Sequence, residues 1–203
     1  MLNVAVTGNV AAGKSTVVRW FREWGATIID SDALVREAQR PGTETLSAIR
    51  QRFGDDVIRP DGTLDRAALR GRVMADDTGL QALNAIVHPV VRQRREDLAA
   101  DAAARGDRVL VNDIPLLFEV LDPGAFDVTI LVDAPVAVRR KRLMDDRGLT
   151  HEDADRLIAA QAPADQKRSR SDFVIDNDGS LDELRTHARQ VWQSLLDLSS
   201  DAA

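Results

Sequence analysis

LNVAVTGNVAAGKST, residues 2–16, is the stretch whose reading decides the fold. Leu2–Val6 is an apolar run of the length of a buried β-strand. It gives way to Gly8-x-x-x-x-Gly13-Lys14-Ser15, and a segment with helical apolar spacing starts near Ser15. Strand, glycine-bounded loop and helix in that order make a phosphate-binding loop. Gly8 and Gly13 let the backbone turn tightly and bring its N–H groups against phosphate oxygens. The start of the helix adds unpaired N–H groups and the positive end of its dipole. Lys14 supplies a mobile cation for the β- and γ-phosphates of a nucleotide, Ser15 a hydroxyl for Mg²⁺, and Thr16 the next polar group. The expected nucleotide contacts are Gly8, Ala11, Ala12, Gly13, Lys14, Ser15 and Thr16, with Ser15 as the metal ligand.

Bulk composition narrows what surrounds this loop. A chain of 203 residues suits one domain of ordinary size or one domain with an inserted lid. Apolar residues at 44% and charged residues at 30% fit a globular protein in water. The net charge of −6 argues against non-specific nucleic-acid binding, though a basic cleft can sit inside an acidic protein. With no cysteine there is neither a disulfide nor a thiolate metal site. Histidines are scattered at 88, 151 and 187, which disfavours a histidine-built metal site. No apolar run approaches the roughly 20 residues needed to span a bilayer. A strand beginning at residue 2 is expected to leave no room for a signal peptide. The expectation is a cytoplasmic protein with no membrane or nucleic-acid partner; oligomeric state is open, with a monomer favoured.

Beyond the loop, a helix is expected from Lys14 to Trp24, with Trp20 and Trp24 meeting on its buried side and Gly25 ending it. Thr27–Asp30 is a second strand. It delivers Asp30-Ser31-Asp32 to a strand's C-terminal end, where ligands bind in parallel α/β sheets. Asp30 or Ser31 fits a helix cap. One carboxylate, with Asp32 favoured, fits a general base beside a transferring phosphoryl group. Pro41-Gly42 breaks the chain. Helices are then expected over 43–53, 65–74 and 78–87, and again from Pro89 to Ala104, with His88-Pro89 as a break. Residues 42–105 therefore read as an all-helical insert. Arg108–Asp113 is a third strand, whose final Asp113 fits either a water-mediated contact to Mg²⁺ or a loop cap. In the following Pro115-Leu116-Leu117-Phe118-Glu119, the apolar residues read as packing and Glu119 as a ligand contact or a solvated charge. Phe126–Val132 is a fourth strand. The next helix carries Arg139, Arg140, Lys141 and Arg142, and a further one runs from Thr150 to about Gln161 with a capping-box start at Thr150 and Asp153. Arginines there suit a lid that covers the transferring phosphate and excludes water. Phe173–Ile175 is a fifth strand, Asn177-Asp178-Gly179 a turn, Leu181–Leu198 a last amphipathic helix, and 199–203 a disordered tail.

Five strands alternating with helices imply an α/β fold with a parallel sheet. Two helical excursions leave its ligand edge, an arrangement that suits a small kinase. The chain resembles the dephospho-CoA kinase family along nearly its whole length. The resemblance is carried by the phosphate loop, Ile29-Asp30-Ser31-Asp32, Asp61-Gly62-Thr63-Leu64-Asp65-Arg66, His88-Pro89, Pro115-Leu116-Leu117-Phe118-Glu119, Arg142-Leu143, Gln161 and Ile175-Asp176-Asn177-Asp178-Gly179. It implies a P-loop, nucleoside-monophosphate-kinase-like fold with a five-stranded parallel sheet: core 1–41, 106–138 and 170–198, helical CoA-binding insert 42–105, and lid 139–169. It implies ATP and Mg²⁺ as co-substrate and cofactor, and dephospho-CoA as the acceptor, phosphorylated on its ribose 3′-hydroxyl to CoA. Asp32 falls on the family's base and Arg142 on its lid arginine. Asn177 and Gly179 fall on the loop near adenine. The implied acceptor contacts are Asp32, Arg66, His88, Pro115 and Leu116. Two departures stand out. Asn9 replaces the usual glycine, so the turn is expected to differ locally, and Asp146-Arg147 reverses the usual Arg-Asp order.

Overall fold

The apolar, β-branched runs become five strands: β1 (Leu2–Gly8), β2 (Thr27–Asp30), β3 (Val109–Asp113), β4 (Val128–Asp133) and β5 (Phe173–Asp176). Ten α-helices, with short 3-10 turns at Asp55–Val57 and Pro123–Ala125, complete the elements among the described residues: α1 (Lys14–Glu23), α2 (Ser31–Ala38), α3 (Glu44–Phe53), α4 (Arg66–Met74), α5 (Gly79–Ala104), α6 (Leu117–Val120), α7 (Val136–Arg147), α8 (His151–Ala159), α9 (Ala164–Arg168) and α10 (Leu181–Asp201). The computed structural model describes residues 1–120 and 123–201, without the side chains of Glu119, Val120 and Asp201. The role expected of Glu119 therefore lies outside the described side chains, as do residues 202–203 of the expected tail.

The strand order is β2-β3-β1-β4-β5. β1 pairs in parallel with β3 and β4, and β4 with β5. β4 is buried along its whole length, as a central parallel strand covered on both faces must be.

Two compact units make up the chain. The first comprises Met1–Ile29 and the chain from Ala102 onward. Its main core packs β1, β3 and β4 against α1 and α10, through Val17, Val18, Trp20 and Phe21 on one helix and Leu184, Ala188, Trp192 and Leu195 on the other. The Trp20 and Trp24 rings stack at 6.3 Å, and Phe21 meets Trp192 at 5.6 Å. The two tryptophans of α1 are packing, and the guanidinium of Arg189 covers Trp24 at 4.7 Å. Ala5, Ile114 and Leu117 form a smaller cluster.

The second unit, Asp30–Asp101, has its own core: Leu46, Ile49 and Phe53 of α3, Val57, Leu64, Leu69 of α4 and Val87 of α5. Its helix starts were legible because their caps are local. Asp30 caps α2, Thr43 caps α3 and Asp65 caps α4, each accepting from a backbone N–H two or three residues on.

Two sequence expectations are corrected. His88-Pro89 does not break the helix: α5 runs through Pro89. Leu83, Ile86, Val87 and Val91 lie on both sides of the proline and pack into one core. Full burial of Val87 and partial burial of the other three together offset the ~3 kcal/mol cost of an interior proline. The closing helix also continues past Leu198, since Arg108 donates to the Leu196 carbonyl and to Ser199 and Ser200, holding the last turn in place. No described helix is long and apolar enough to cross a membrane.

Pro89→Ala restores the N–H that reaches the Ala85 carbonyl in a regular helix. It should stabilise the second unit by about 1–3 kcal/mol. Thermal unfolding checks this; an unchanged or lower midpoint contradicts it.

Candidate active site

α1, α7 and α9 start without a side-chain cap, the last two behind Pro135 and Pro163 and α1 behind Gly13. Side chains cap α2, α3, α4 and α8, the last through Thr150. No side chain caps α1, and its first turn holds no acidic residue. Its leading N–H groups and the positive end of its dipole are thereby left for an external anion. Gly13, immediately before it, has φ 97°, a left-handed conformation that side-chain-bearing residues rarely adopt. A Cβ there would stand 2.3 Å from Asn177 Nδ2, and one on Gly8 would stand 2.8 Å from the Val132 carbonyl oxygen. Both glycines are thus required by close approach. Ala11 holds φ 57° without being glycine, a strained position in the middle of the loop.

Neighbouring strand ends hold the loop. Asn177 follows β5, and its N–H donates to the Asp133 carbonyl at 2.8 Å. Its Nδ2 donates to the Ala12 carbonyl at 2.7 Å, and its Oδ1 accepts from Arg142 Nη2 at 3.1 Å. The other Arg142 nitrogen, Nη1, donates to the Ala11 carbonyl at 3.2 Å. The structure thus brings Arg142 and Asn177 to the phosphate loop itself. Arg139, from the same basic run, turns inward instead: it is buried and donates to the Ala134 carbonyl at 2.9 Å. Burial pushes its guanidinium below the usual arginine value, with Asp133 opposing. Arg140 pairs with Asp155 of α8 at 2.5 Å. Gly179 precedes a capping box in which Ser180 N–H donates to Glu183 Oε2 at 2.7 Å and Glu183 N–H to Ser180 Oγ at 3.2 Å.

Lys14 forms an ion pair with Asp113 at the end of β3, with both side chains only 16% exposed. Asp113 thus holds the loop's cation. Ser15 is exposed on the first turn of α1, and Thr16 is half-buried. The carbonyl of Pro115 accepts from Thr7 Oγ1 at 3.2 Å, and the adjacent Leu116 is exposed. No group of three histidine, cysteine or carboxylate side chains suited to a metal occurs among the described residues. A Mg²⁺ ion carried by nucleotide phosphates needs only one or two protein oxygens. The Ser15 hydroxyl and the Asp113 carboxylate are oxygens of the required hard type, so the donor set fits.

The second unit carries the remaining expected residues. Asp30 is the cap of α2, its Oδ1 accepting from Ala33 N–H at 2.8 Å, with Arg36 at 3.8 Å from Oδ2. Asp32, in the first turn, is exposed and makes no hydrogen bond or ion pair among the described residues. The two carboxylates are therefore separated in role: Asp30 is committed to the backbone and Asp32 is open. Arg66 opens α4 and His88 lies on α5; both are exposed.

Sequence reading missed a charged cluster beside the loop. Asp133 and Asp176 end β4 and β5 and are partners in the parallel register. Two carboxylates side by side call for a cation, and Arg168 supplies it, Nη1 lying 2.7 Å from Asp176 Oδ1 and 3.2 Å from Asp133 Oδ2. Arg168 holds the Asp176 carboxyl below the usual carboxylate range, and the pair raises the arginine in turn. Asp133 also accepts from Asn9 Nδ2 at 2.9 Å. The residue that departs from the family's glycine thus has a partner. Two strands each ending in aspartate were the available signal.

Comparison with known proteins gives the family. The profile of the dephospho-CoA kinase family, CoaE, matches residues 2–183. A dephospho-CoA kinase of Thermobifida fusca is 43% identical over 195 residues, covering 96% of both chains. One from Mycolicibacterium paratuberculosis is 45% identical over 192 residues, which is 95% of this chain but 47% of that relative. The chain therefore spans about half the length of the second protein and nearly all of the first. A crystal structure from Thermus thermophilus aligns with a TM-score of 0.78 at 36% identity, covering 95% of this chain and 96% of that one.

Gly13→Ala should cost at least the ~1–2 kcal/mol of a left-handed side chain, and should weaken nucleotide binding by displacing Asn177. Unchanged denaturant stability contradicts this. Arg168→Met should raise the Asp176 titration towards the ordinary carboxylate value, read by carboxyl NMR. Because the folded value lies below the unfolded one, the stabilisation is complete above about pH 4 and is lost as pH falls through the folded value. The variant should lose this acid dependence; an unshifted Asp176 contradicts the pairing.

Proposed function

The chain belongs to the dephospho-CoA kinase family, and on that premise we propose that it phosphorylates the ribose 3′-hydroxyl of dephospho-CoA with ATP, giving CoA and ADP, the last step of CoA synthesis. The observation that carries the reading is the uncapped, glycine-bounded start of α1 with Lys14 beside it. We assign residues 1–41, 106–138 and 170–198 to the catalytic core, 42–105 to acceptor binding and 139–169 to the lid, and take the cytoplasm as the site of action.

In this reading Gly8 and the residues from Ala11 to Thr16 bind the nucleotide's phosphates, through backbone N–H groups of the loop and helix start. Lys14 leaves Asp113 for the β- and γ-phosphates, exchanging one anion for another with no change in its own charge. Ser15 and Asp113 would hold Mg²⁺, which would neutralise charge on the phosphates. Asn177 and Gly179 border the nucleotide's base. Arg66, His88, Pro115 and Leu116 contact the acceptor. Asp32 accepts the proton of the 3′-hydroxyl as its oxygen forms a bond to the γ-phosphorus. The bond from that phosphorus to the β–γ bridging oxygen breaks, and its electron pair leaves on ADP. Arg142 neutralises charge on the transferring group. The availability of Asp32 supports its choice over Asp30, whose carboxylate already serves the α2 backbone.

Asp32→Asn should lower acceptor-dependent ADP release by about 10²–10⁴-fold, the range of a removed general base. It should leave ADP affinity within about twofold, since Asp32 has no place in phosphate binding. Steady-state kinetics with calorimetry check this. Near-normal turnover excludes Asp32 as the base.

A further inference from the structure

Two consecutive residues of the phosphate loop are held from outside by the two ends of one short segment. At its start, Gln161 Oε1 accepts the Val10 N–H at 2.8 Å. At its end, Arg168 donates to Asp133 Oδ2 at 3.2 Å, while Asp133 Oδ1 accepts from Asn9 Nδ2 at 2.9 Å. The segment is short and well anchored. Gln161 N–H donates to the Ile158 carbonyl at 3.3 Å as α8 ends, Pro163 opens α9, and Arg168 closes it. α8 is joined in turn to α7 by the Arg140–Asp155 pair, and α7 carries the Arg142 that donates to the Ala11 carbonyl. Residues 9, 10 and 11 of the loop therefore each depend on a side chain of, or one fastened by, the stretch from α7 to α9.

None of the phosphate chemistry above uses Gln161 or Arg168. Their contacts fix the loop. N–H groups that converge on an anion bind it well only if their directions are set beforehand; ordering them at the moment of binding subtracts from affinity. Ala11 at φ 57° shows that this loop is held in a conformation its sequence does not favour by itself. The Val10 N–H, given to a carboxamide, is also removed from competition for the phosphates.

We propose that Gln161 is a positioning residue for the nucleotide's phosphates, with Arg168 acting at the neighbouring loop residue through Asp133 and Asn9. The inference rests on the kinase reading for the identity of the anion. It goes beyond it by making the last part of the lid, residues 161–168, a determinant of nucleotide affinity.

Gln161→Met keeps the side-chain length and removes the acceptor. The dissociation constant for ADP, measured by calorimetry, should rise about tenfold, the scale of one lost hydrogen bond. The KM for ATP should rise with it, while the KM for dephospho-CoA stays within about twofold, and the Val10 amide should exchange with solvent faster. A merely structural tether would instead lower the melting temperature and leave the ADP constant alone. A folded variant with wild-type ADP affinity, or equal losses for both substrates, overturns the proposal. If Gln161→Met does not fold, Gln161→Asn, whose acceptor is one methylene short of Val10, carries the same expectation. A wild type that binds no ADP overturns the kinase reading and this inference together; a wild type that binds it as well as the variant does overturns this inference alone.

Discussion

Parallel pairing of β1 with β3 and β4 is the constraint on which the rest of the first unit depends. It sends the C-terminal ends of these strands to one edge, setting Val6 beside Asp113 and Gly8 beside Val132. Crowding at that edge leaves no room for a side chain at residue 8. The register also places Asp113 where the lysine six residues after Gly8 can reach it. β4 and β5 add Asp133 and Asp176 as a second register pair. The edge thus collects three carboxylates, and Lys14 and Arg168 answer them. An acidic chain of net charge −6 can still present cations locally, as Lys14 and Arg142 do at the phosphate loop.

The phosphate loop is held as much by side chains as by its own glycines. Arg142, Asn177 and Gln161 each place a hydrogen bond on it, and Asn9 reaches out of it to Asp133. One such bond contributes on the order of 1 kcal/mol. Together they are comparable to the ~1–3 kcal/mol that a left-handed non-glycine residue such as Ala11 costs. The strained loop persists because its surroundings over-determine it. Lys14 is held in the same manner, its charge kept in place by Asp113 at a partly exposed site where a phosphate can compete for it.

Much of this was legible in the sequence, and the division follows how local each interaction is. The phosphate loop is written in consecutive residues. So are the caps at Asp30, Thr43, Asp65 and Thr150, since each acts on a backbone N–H two or three positions away. Pro89 was misread because its local signal, a helix break, is outweighed by burial of residues on both sides of it, which only tertiary packing reveals. The helix from 164 to 168 is too short to show periodicity. The partners of Asn9, Asp113 and Gln161 lie 99 to 151 residues away along the chain, so no spacing rule finds them. The choice between Asp30 and Ser31 as the cap needed the structure, where the hydrogen bond from Ala33 shows that Asp30 is used.

The most direct test of the central claim is the position of the phosphoryl group in the product. Incubating the protein with ATP, Mg²⁺ and dephospho-CoA, and following the acceptor by phosphorus NMR, should show a new phosphomonoester on the ribose 3′-oxygen in step with ADP release. ADP release that ignores dephospho-CoA, or a phosphate carried elsewhere on the acceptor, would contradict the account.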